Sequence, residues 1–364
     1  MFQVNELIFS NLIRSLTLRR TANLFKTAAS FAFSAMTGKA LLWGRPAILT
    51  IEPTNTCNLR CPLCTTGSGE MTRSNGQMSL QTFQHIMDKM GDDIFFLLIY
   101  HQGEPYINKH FLDFVQLAKA KNIYCTTSTN AHYFADELIH RTIDSRLDSM
   151  IVSIDGVTQA SYETYRVKGN LNKVLDGLRR FVEIKKQRQS KIPLLALQFL
   201  VMKHNEHEIP AIKQLAKEIG VDRLLIKNIE VRSLEEARQW LPVNDRYRRY
   251  HFDGDHYEVK NSNKKSCPRP WLSTLINWDG SLVPCCFDKN GDHTMGNIAE
   301  ATDLDELWTA EAFRKFRRQL LNDRKSIEIC RNCNQGFGSF IPSFRSKKTT
   351  EVKTKNTPFT IINE

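Results

Sequence analysis

Nine cysteines are distributed over 364 residues, and eight of them fall into two groups. Cys57, Cys61 and Cys64 lie together at C-x3-C-x2-C spacing, while Cys267, Cys285, Cys286, Cys330 and Cys333 occupy the last third and Cys125 stands alone. Three thiolates on one loop can converge on three corners of a cubane iron–sulfur cluster. With no fourth cysteine nearby, one iron stays open to a non-protein ligand, and an open iron can activate a small molecule. Three thiolates with a histidine or water would also serve tetrahedral zinc, although zinc sites more often pair cysteines at C-x2-C. In the second group Cys267, Cys285, Cys330 and Cys333 come from separated segments and close with C-x2-C, enough to ligate one cluster or one zinc completely. Cys285 and Cys286 are adjacent, and neighbouring side chains on an extended segment point opposite ways. Cys285, which directly follows the apolar SLVP run, is the expected ligand. An odd set of clustered thiols reads as metal ligation in a reducing compartment rather than as a disulfide framework.

These cysteines need elements to position them. Between Ala47 and Asn228 short apolar runs (AILTIE, IFFLLIY, IYCTTS, SMIVSI, LLALQFLV, RLLIKN) alternate with segments carrying apolar residues at three-to-four spacing, such as LQTFQHIMDKM and IPAIKQLAKEI. The pattern predicts six strands alternating with helices, hence an α/β fold with a parallel sheet and right-handed crossovers. A doubly wound sheet and an incomplete (β/α) barrel both satisfy it, and both place ligands at the carboxyl ends of the strands. The first cysteine loop follows the first run directly. Residues 229–262 are polar with weak periodicity and read as a linker or covering segment. Residues 263–336 form a small turn-rich unit containing NWDGSLVPCC, a strand–turn–strand signature, with too few apolar residues to be stable without a metal staple. The tail 337–364 is basic and expected to be flexible. Residues 1–46 form a basic, amphipathic helical extension, of which 7–36 would either pack its apolar side on the body or lie on an anionic membrane surface.

In order along the chain, the strand ends carry further motifs. The C-x3-C-x2-C loop resembles that of the radical S-adenosylmethionine (SAM) enzymes, whose three cysteines hold a [4Fe-4S] cluster and whose SAM chelates the fourth iron. His101-Gln102-Gly103-Glu104-Pro105 after the second strand resembles the family's GGEP loop, with Gln102 replacing the first glycine. Thr129-Asn130-Ala131 resembles its TNG turn, and Ser153-Ile154-Asp155-Gly156 its S-x-D-G segment. Leu63 stands where an aromatic residue commonly precedes the third cysteine. The resemblance implies an incomplete (β/α)6 TIM-like barrel over 47–228. It also implies SAM contacts by Gly103, Glu104, Pro105, Asn130, Ser153 and Arg166, the last suited to a bidentate grip on a carboxylate. The cysteines after Lys265 resemble the SPASM auxiliary-cluster module in its shortened Twitch form, and their spacing is similar to that of the 2-deoxy-scyllo-inosamine dehydrogenases, Twitch enzymes that oxidise an alcohol. This implies one auxiliary [4Fe-4S] cluster held by Cys267, Cys285, Cys330 and Cys333.

The implied activity is reductive cleavage of SAM to a 5′-deoxyadenosyl radical and hydrogen abstraction from a substrate, with the auxiliary cluster as electron acceptor in a net oxidation. The partners are then SAM, a small-molecule or peptide substrate, and a reductant such as flavodoxin or ferredoxin. Maturation of a ribosomal peptide is the alternative within enzymes. A non-catalytic iron–sulfur or zinc protein is the alternative outside them, and the GEP and SIDG matches speak against it.

Composition narrows the field further. Hydrophobic residues at 41% and charged residues at 24% exclude disordered, collagen-like and mucin-like chains. The formal net charge of +11 is concentrated at the ends: +5 in residues 1–46 and +3 in 337–364, leaving +3 for the body. No nucleic-acid partner is expected from so localised a charge. No long apolar run predicts a membrane span, and no cleaved leader is recognisable, so the cytoplasm is the expected location. His204 and His207 read as capping residues and Cys125 as a small core residue. Gln198 and Lys227 are weaker candidates for facing the barrel interior.

Overall fold

The computed structural model describes residues 2–260, 267–333, 348–353 and 358–363. Each of the six apolar runs is a strand: β1 (Ile48–Ile51), β2 (Phe96–Ile99), β3 (Tyr124–Thr129), β4 (Ser149–Ser153), β5 (Leu194–Val201) and β6 (Arg223–Asn228). They pair in sequence order, all parallel, from Ile48 opposite Phe96 to Val201 opposite Asn228. The runs are continuous rather than alternating because both faces of the sheet are covered. Leu49, Ile51, Leu97, Ile99, Val152, Leu197 and Leu224 pack outward, sharing one core with helix residues such as Phe83, Phe114 and Phe181. At about 1.5–3 kcal/mol for each large side chain buried, this layer supplies most of the drive to fold. Leu98, Tyr100, Thr126, Ile151, Ala196, Leu225 and Lys227 point the other way, into a cavity inside the sheet. The helices Leu80–Met90, Phe111–Ala120, Asp136–Asp144, Leu171–Gln187 and Ile209–Ile219 supply the crossovers. Ser79 and Asn170 cap two of them by accepting the N–H of Thr82 and Lys173.

The barrel is incomplete. After the small hairpin β7 (Tyr250–Phe252) and β8 (Tyr257–Val259), strand β9 (Ser273–Ile276) adds parallel to β1, and β10 (Leu282–Val283) pairs antiparallel with β9. At the far edge β12 (Pro358–Asn363) pairs parallel with β6 and antiparallel with β11 (Lys348–Lys353). The ten-stranded order is therefore β10-β9-β1-β2-β3-β4-β5-β6-β12-β11, and the six-stranded run is extended at both edges rather than closed.

The tail differs from expectation. The described parts of the tail are strands, with Thr360, Ile361 and Ile362 buried beside β6; pairing an open edge explains why a polar tail becomes ordered. Of the two readings of the next segment, residues 229–260 take the covering one: they form a helix at Leu234–Trp240 and the β7–β8 hairpin, and they bury Trp240 and Tyr250 with Leu59, Cys61 and Leu63 of the first cysteine loop. At the other end, α1 (Phe2–Ser15) inserts Ile8 among Ala47, Phe95, Phe96, Tyr124 and Leu194 at the amino ends of the strands. Helix α2 (Leu18–Thr37) follows along the same end and packs Phe31 on Trp271, with ring centroids 5.3 Å apart.

Candidate metal centres at the strand ends

The chain leaving β1 turns at Thr54–Thr56 and delivers Cys57, Cys61 and Cys64 to one place. The Cys64 amide donates to the Cys61 carbonyl (3.1 Å), closing the turn between them. Two glycines let backbone come this close. At Gly103 φ is +72°, and a Cβ there would sit 2.5 Å from the Thr54 carbonyl oxygen and 2.7 Å from that of Thr56. At Gly67 a Cβ would sit 2.5 Å from the Cys61 nitrogen. The Glu104 amide donates to the Thr56 carbonyl (2.9 Å), so the loop after β2 clamps the loop after β1. Pro105 opens the 3-10 turn Pro105–Ile107, for which Glu104 is the N-terminal cap.

Glu104 is almost fully buried. Its Oε1 accepts from the Thr129 hydroxyl (2.7 Å) and the Tyr106 amide (3.3 Å), and its Oε2 from the Asn130 amide (2.8 Å). Burial pushes its carboxyl up to about 7, against the pull of those donors. Asn130 reaches the cysteine loop, its Nδ2 donating to Asn58 (2.8 Å) and lying 3.8 Å from the Cys57 sulfur. Across the site, Arg166 directs Nε at the Asp155 carboxylate (2.6 Å), with Nη2 also 2.6 Å from it, and its Nη1 lies 3.9 Å from the Cys61 sulfur. Burial opposes the Arg166 charge, but Asp155 and Cys61 outweigh it and its pKa rises. Ser153 is buried beside Gln198, whose Nε2 donates to its hydroxyl (3.4 Å). Five of the six non-cysteine residues singled out from the sequence thus stand at or just past strand ends and Arg166 at the end of the helix Gln159–Tyr165, with Glu104, Asn130 and Arg166 facing the cysteine loop.

The donor set fits a thiolate-ligated metal cluster. Burial pushes the Cys57 thiol up to about 12, and burial likewise raises Cys61 while Arg166 pulls it down. Such thiols are neutral near pH 7 and become ligands only when a metal cation replaces the proton. Donors already aim at the sulfurs: the Leu59 amide at Cys57 (3.4 Å), with Asn130 and Arg166 beyond it. Hydrogen bonds to sulfur are what tune an iron–sulfur centre.

The second nest forms around two arginines. Cys285 and Cys286 follow β10, Cys330 lies on the short helix Glu328–Arg331, and the Cys333 amide closes a turn on the Cys330 carbonyl (3.3 Å). The half-buried Arg269 guanidinium lies 3.7 Å from the Cys286 sulfur and interacts electrostatically with Cys285, Cys267 and Cys333. Arg324 hydrogen-bonds the Cys333 carbonyl (3.4 Å) and pulls against the burial that pushes Cys330 up to about 12. Arg269 thus links Cys267, Cys285, Cys286 and Cys333 electrostatically, and Cys330 is under the influence of Cys333 and Cys267. The Cys285 thiol donates to Cys286, raising the first and lowering the second. Both vicinal sulfurs face the nest.

Sequence reasoning passed over Asp155, Thr129 and Gln102. Asp155 is fully buried and orients Arg166; Thr129 orients Glu104; Gln102 accepts from the Thr66 hydroxyl (3.0 Å) and lies 3.8 Å from the Cys64 sulfur. All three sit inside the motifs, so a signal was present, but only the fold shows what each touches. His204 packs on Trp240, which covers the first cysteine loop, and Cys125 is a fully buried β3 residue of the core.

Comparison with known proteins agrees with this geometry. The family model for the Radical SAM superfamily matches residues 51–216, and that for SPASM, an iron-sulfur cluster-binding domain, matches residues 267–334. The tungsten-containing aldehyde ferredoxin oxidoreductase cofactor-modifying protein of Pyrococcus furiosus is 24% identical over 302 residues, 74% of this chain and 82% of that protein. The PqqA peptide cyclase of Bradyrhizobium diazoefficiens is 23% identical over 302 residues, 76% of each. Among solved structures, Streptococcus suis SuiB bound to S-adenosylmethionine shares the fold with a TM-score of 0.58 at 15% identity, covering 85% of this chain and 76% of that one.

Proposed function

We propose, from the premise that this chain belongs to the radical SAM superfamily and carries a SPASM domain behind its barrel, that it abstracts a hydrogen atom from an organic substrate in a net oxidation. SAM and [4Fe-4S] clusters are its cofactors. When bound they supply reductive cleavage of SAM to methionine and a 5′-deoxyadenosyl radical at Cys57, Cys61 and Cys64, and one-electron acceptance at the late cysteines. The observation that carries the reading is the pairing of two partly buried groups of cysteines with a carboxylate and a guanidinium facing the first.

The residues then have distinct tasks. Glu104 presents a fixed carboxylate to the amino group of SAM, held by Thr129 and Asn130. Arg166, oriented by Asp155, grips its carboxylate. Gly103 and Pro105 shape the loop that admits the cofactor, and Ser153 lines its polar end. Cys267, one or both of Cys285 and Cys286, Cys330 and Cys333 leave no open metal position, which suits electron transfer rather than substrate ligation. The reducing cytoplasm is the compartment in which such clusters persist, and flavodoxin or ferredoxin is the class of donor that supplies the electron.

Modification of a peptide is a second reading, favoured by relatives named as PqqA peptide cyclases and by SuiB, solved with its precursor peptide. Anaerobically reconstituted protein given SAM and dithionite should form 5′-deoxyadenosine slowly, and Cys61→Ala should abolish it. No formation with a full iron and sulfide complement would overturn the enzyme reading. Cys330→Ala/Cys333→Ala should abolish oxidised product while retaining some SAM cleavage, and unchanged product would remove the electron-acceptor role.

A further inference from the structure

Helix α2 is mounted in reverse. An amphipathic helix on a globular body ordinarily buries its apolar stripe and exposes its polar one. Here the buried residues are Arg20, Asn23, Thr27, Ser30 and Ser34, with Phe31 the one large apolar side chain among them. Arg20 donates to the carbonyls of Ser15, Gly91 and Lys121, each at 2.8 Å, and Asn23 Nδ2 to that of Arg45 (3.0 Å). These bonds fix the rotation of the helix, so the apolar side cannot turn inward. Leu18 (93% exposed), Phe25 (76%), Phe33 (48%) and Met36 (81%) consequently project to solvent, joined by Phe9 and Ile13 of α1. Their spacing along α2 places them on one side over 20 residues, about 30 Å of helix. Contiguous apolar surface of this kind marks an interaction site rather than ordinary exposure.

The charges identify the partner. Residues 7–44 contain five Lys or Arg and no Asp or Glu. Arg14, Lys26 and Lys39 are exposed alongside the apolar side chains, whereas Arg19 is paired with Asp93. Apolar side chains protruding from convex helices, flanked by cations, suit a deformable apolar medium with an anionic surface. No described helix is long and apolar enough to cross a membrane, so the pair would lie on one rather than span it. We propose that the exposed face of α1 and α2 docks this protein on an anionic phospholipid bilayer. Because α1 closes the amino ends of the strands, the docked face is opposite the cysteine loop at their carboxyl ends, and the site stays open to the aqueous side. The proposal is independent of the reaction assigned above.

The test is flotation of the full-length protein with vesicles of phosphatidylcholine alone or with 30% phosphatidylserine. Partitioning should be roughly 100-fold stronger with phosphatidylserine at low salt, as three surface cations predict, and should weaken at high salt. Leu18→Glu/Phe25→Glu/Met36→Glu alters only exposed positions; it should abolish flotation and leave circular dichroism and 5′-deoxyadenosine formation unchanged. Absence of flotation by the wild type, equal partitioning to both vesicles, or flotation unaffected by the triple substitution would overturn the proposal. So would light scattering that shows a dimer which the triple substitution converts to monomer, because a second copy would then cover the face.

Discussion

Asp155→Asn isolates the role of a residue that touches neither sulfur nest. The Asp155 carboxylate is fully buried, and its Oδ2 takes Arg166 at 2.6 Å, while its Oδ1 accepts the Leu200 amide at 2.8 Å. Asparagine can keep the Leu200 bond, but its NH2 group would face the Arg166 donors. Two charge-assisted hydrogen bonds at about 1.5–3 kcal/mol each are lost. The guanidinium, only 13% exposed, is left without its carboxylate. Breaking a buried pair from one side costs about 3–5 kcal/mol, and the Cys61 sulfur 3.9 Å away offsets little of it while it remains a neutral thiol. The expected loss for the metal-free protein is therefore about 3–4 kcal/mol in urea unfolding. Removing both partners, as Asp155→Asn/Arg166→Met, should recover much of that loss, because no uncompensated charge stays buried. SAM affinity should fall about 10–100-fold in the single variant, since Arg166 loses its orientation. A single-variant cost below about 1 kcal/mol, or a double variant whose cost is the sum of the two single ones, would refute the reasoning.

Other expectations follow from the same contacts. Burial raises the Glu104 carboxyl to about 7, so its contribution to stability is complete below the ordinary carboxyl range and is lost as pH rises through 7. Between pH 5.5 and pH 8.5 the metal-free wild type should lose about 2 kcal/mol of stability relative to Glu104→Gln, read as the change in the difference between their urea midpoints. Gly103→Ala places a Cβ 2.5 Å from the Thr54 carbonyl at a positive φ; a cost of about 3 kcal/mol and failed iron uptake at the first site are expected, read as iron per chain and unfolding midpoint. Glu52→Gln should cost about 3 kcal/mol by stranding Arg73, which it holds at 2.7 and 2.8 Å, and should lower iron content at both nests together. Loss confined to one nest would count against a shared support.

The six strands and five crossover helices were legible because each carries its period locally: unbroken apolar runs where two faces are covered, and three-to-four spacing where one is. Spacing pointed to the cysteines as metal ligands, and motif resemblance pointed to Glu104 and Arg166, which the fold brings beside the first cysteine loop. What was not legible is what depends on a distant partner. Asp155 gains its task only when the chain brings Arg166, eleven residues on, back against it. Trp240 and Tyr250 lie in a polar stretch whose order comes from covering the first cysteine loop. Strand β12 is ordered by the open edge of β6, and nothing in its own sequence specifies that partner. For α2 the periodicity gave a stripe but not a direction: a stripe of Ser, Thr and Asn can be the buried one when carbonyls at the strand ends await donors.

The two sulfur nests are not carried on independent supports. Glu52, just past the end of β1, is fully buried and grips Arg73 from one side while accepting the Trp278 amide (3.3 Å) from the other. Arg73 in turn donates from Nε to the Lys289 carbonyl (2.9 Å), and the Trp278 indole donates to the Ser74 carbonyl (3.2 Å). The segment leading out of the first cysteine loop is thereby bonded to the β9–β10 turn and to the loop just beyond Cys285 and Cys286. Since β9 also pairs with β1 residue for residue, from Ile48 opposite Ser273 to Ile51 opposite Ile276, sheet and side chains fix the same relationship twice. Electron transfer requires a fixed separation, whereas a merely structural metal staple would need only its own four ligands. The doubled connection between the nests therefore favours a second cluster that works with the first.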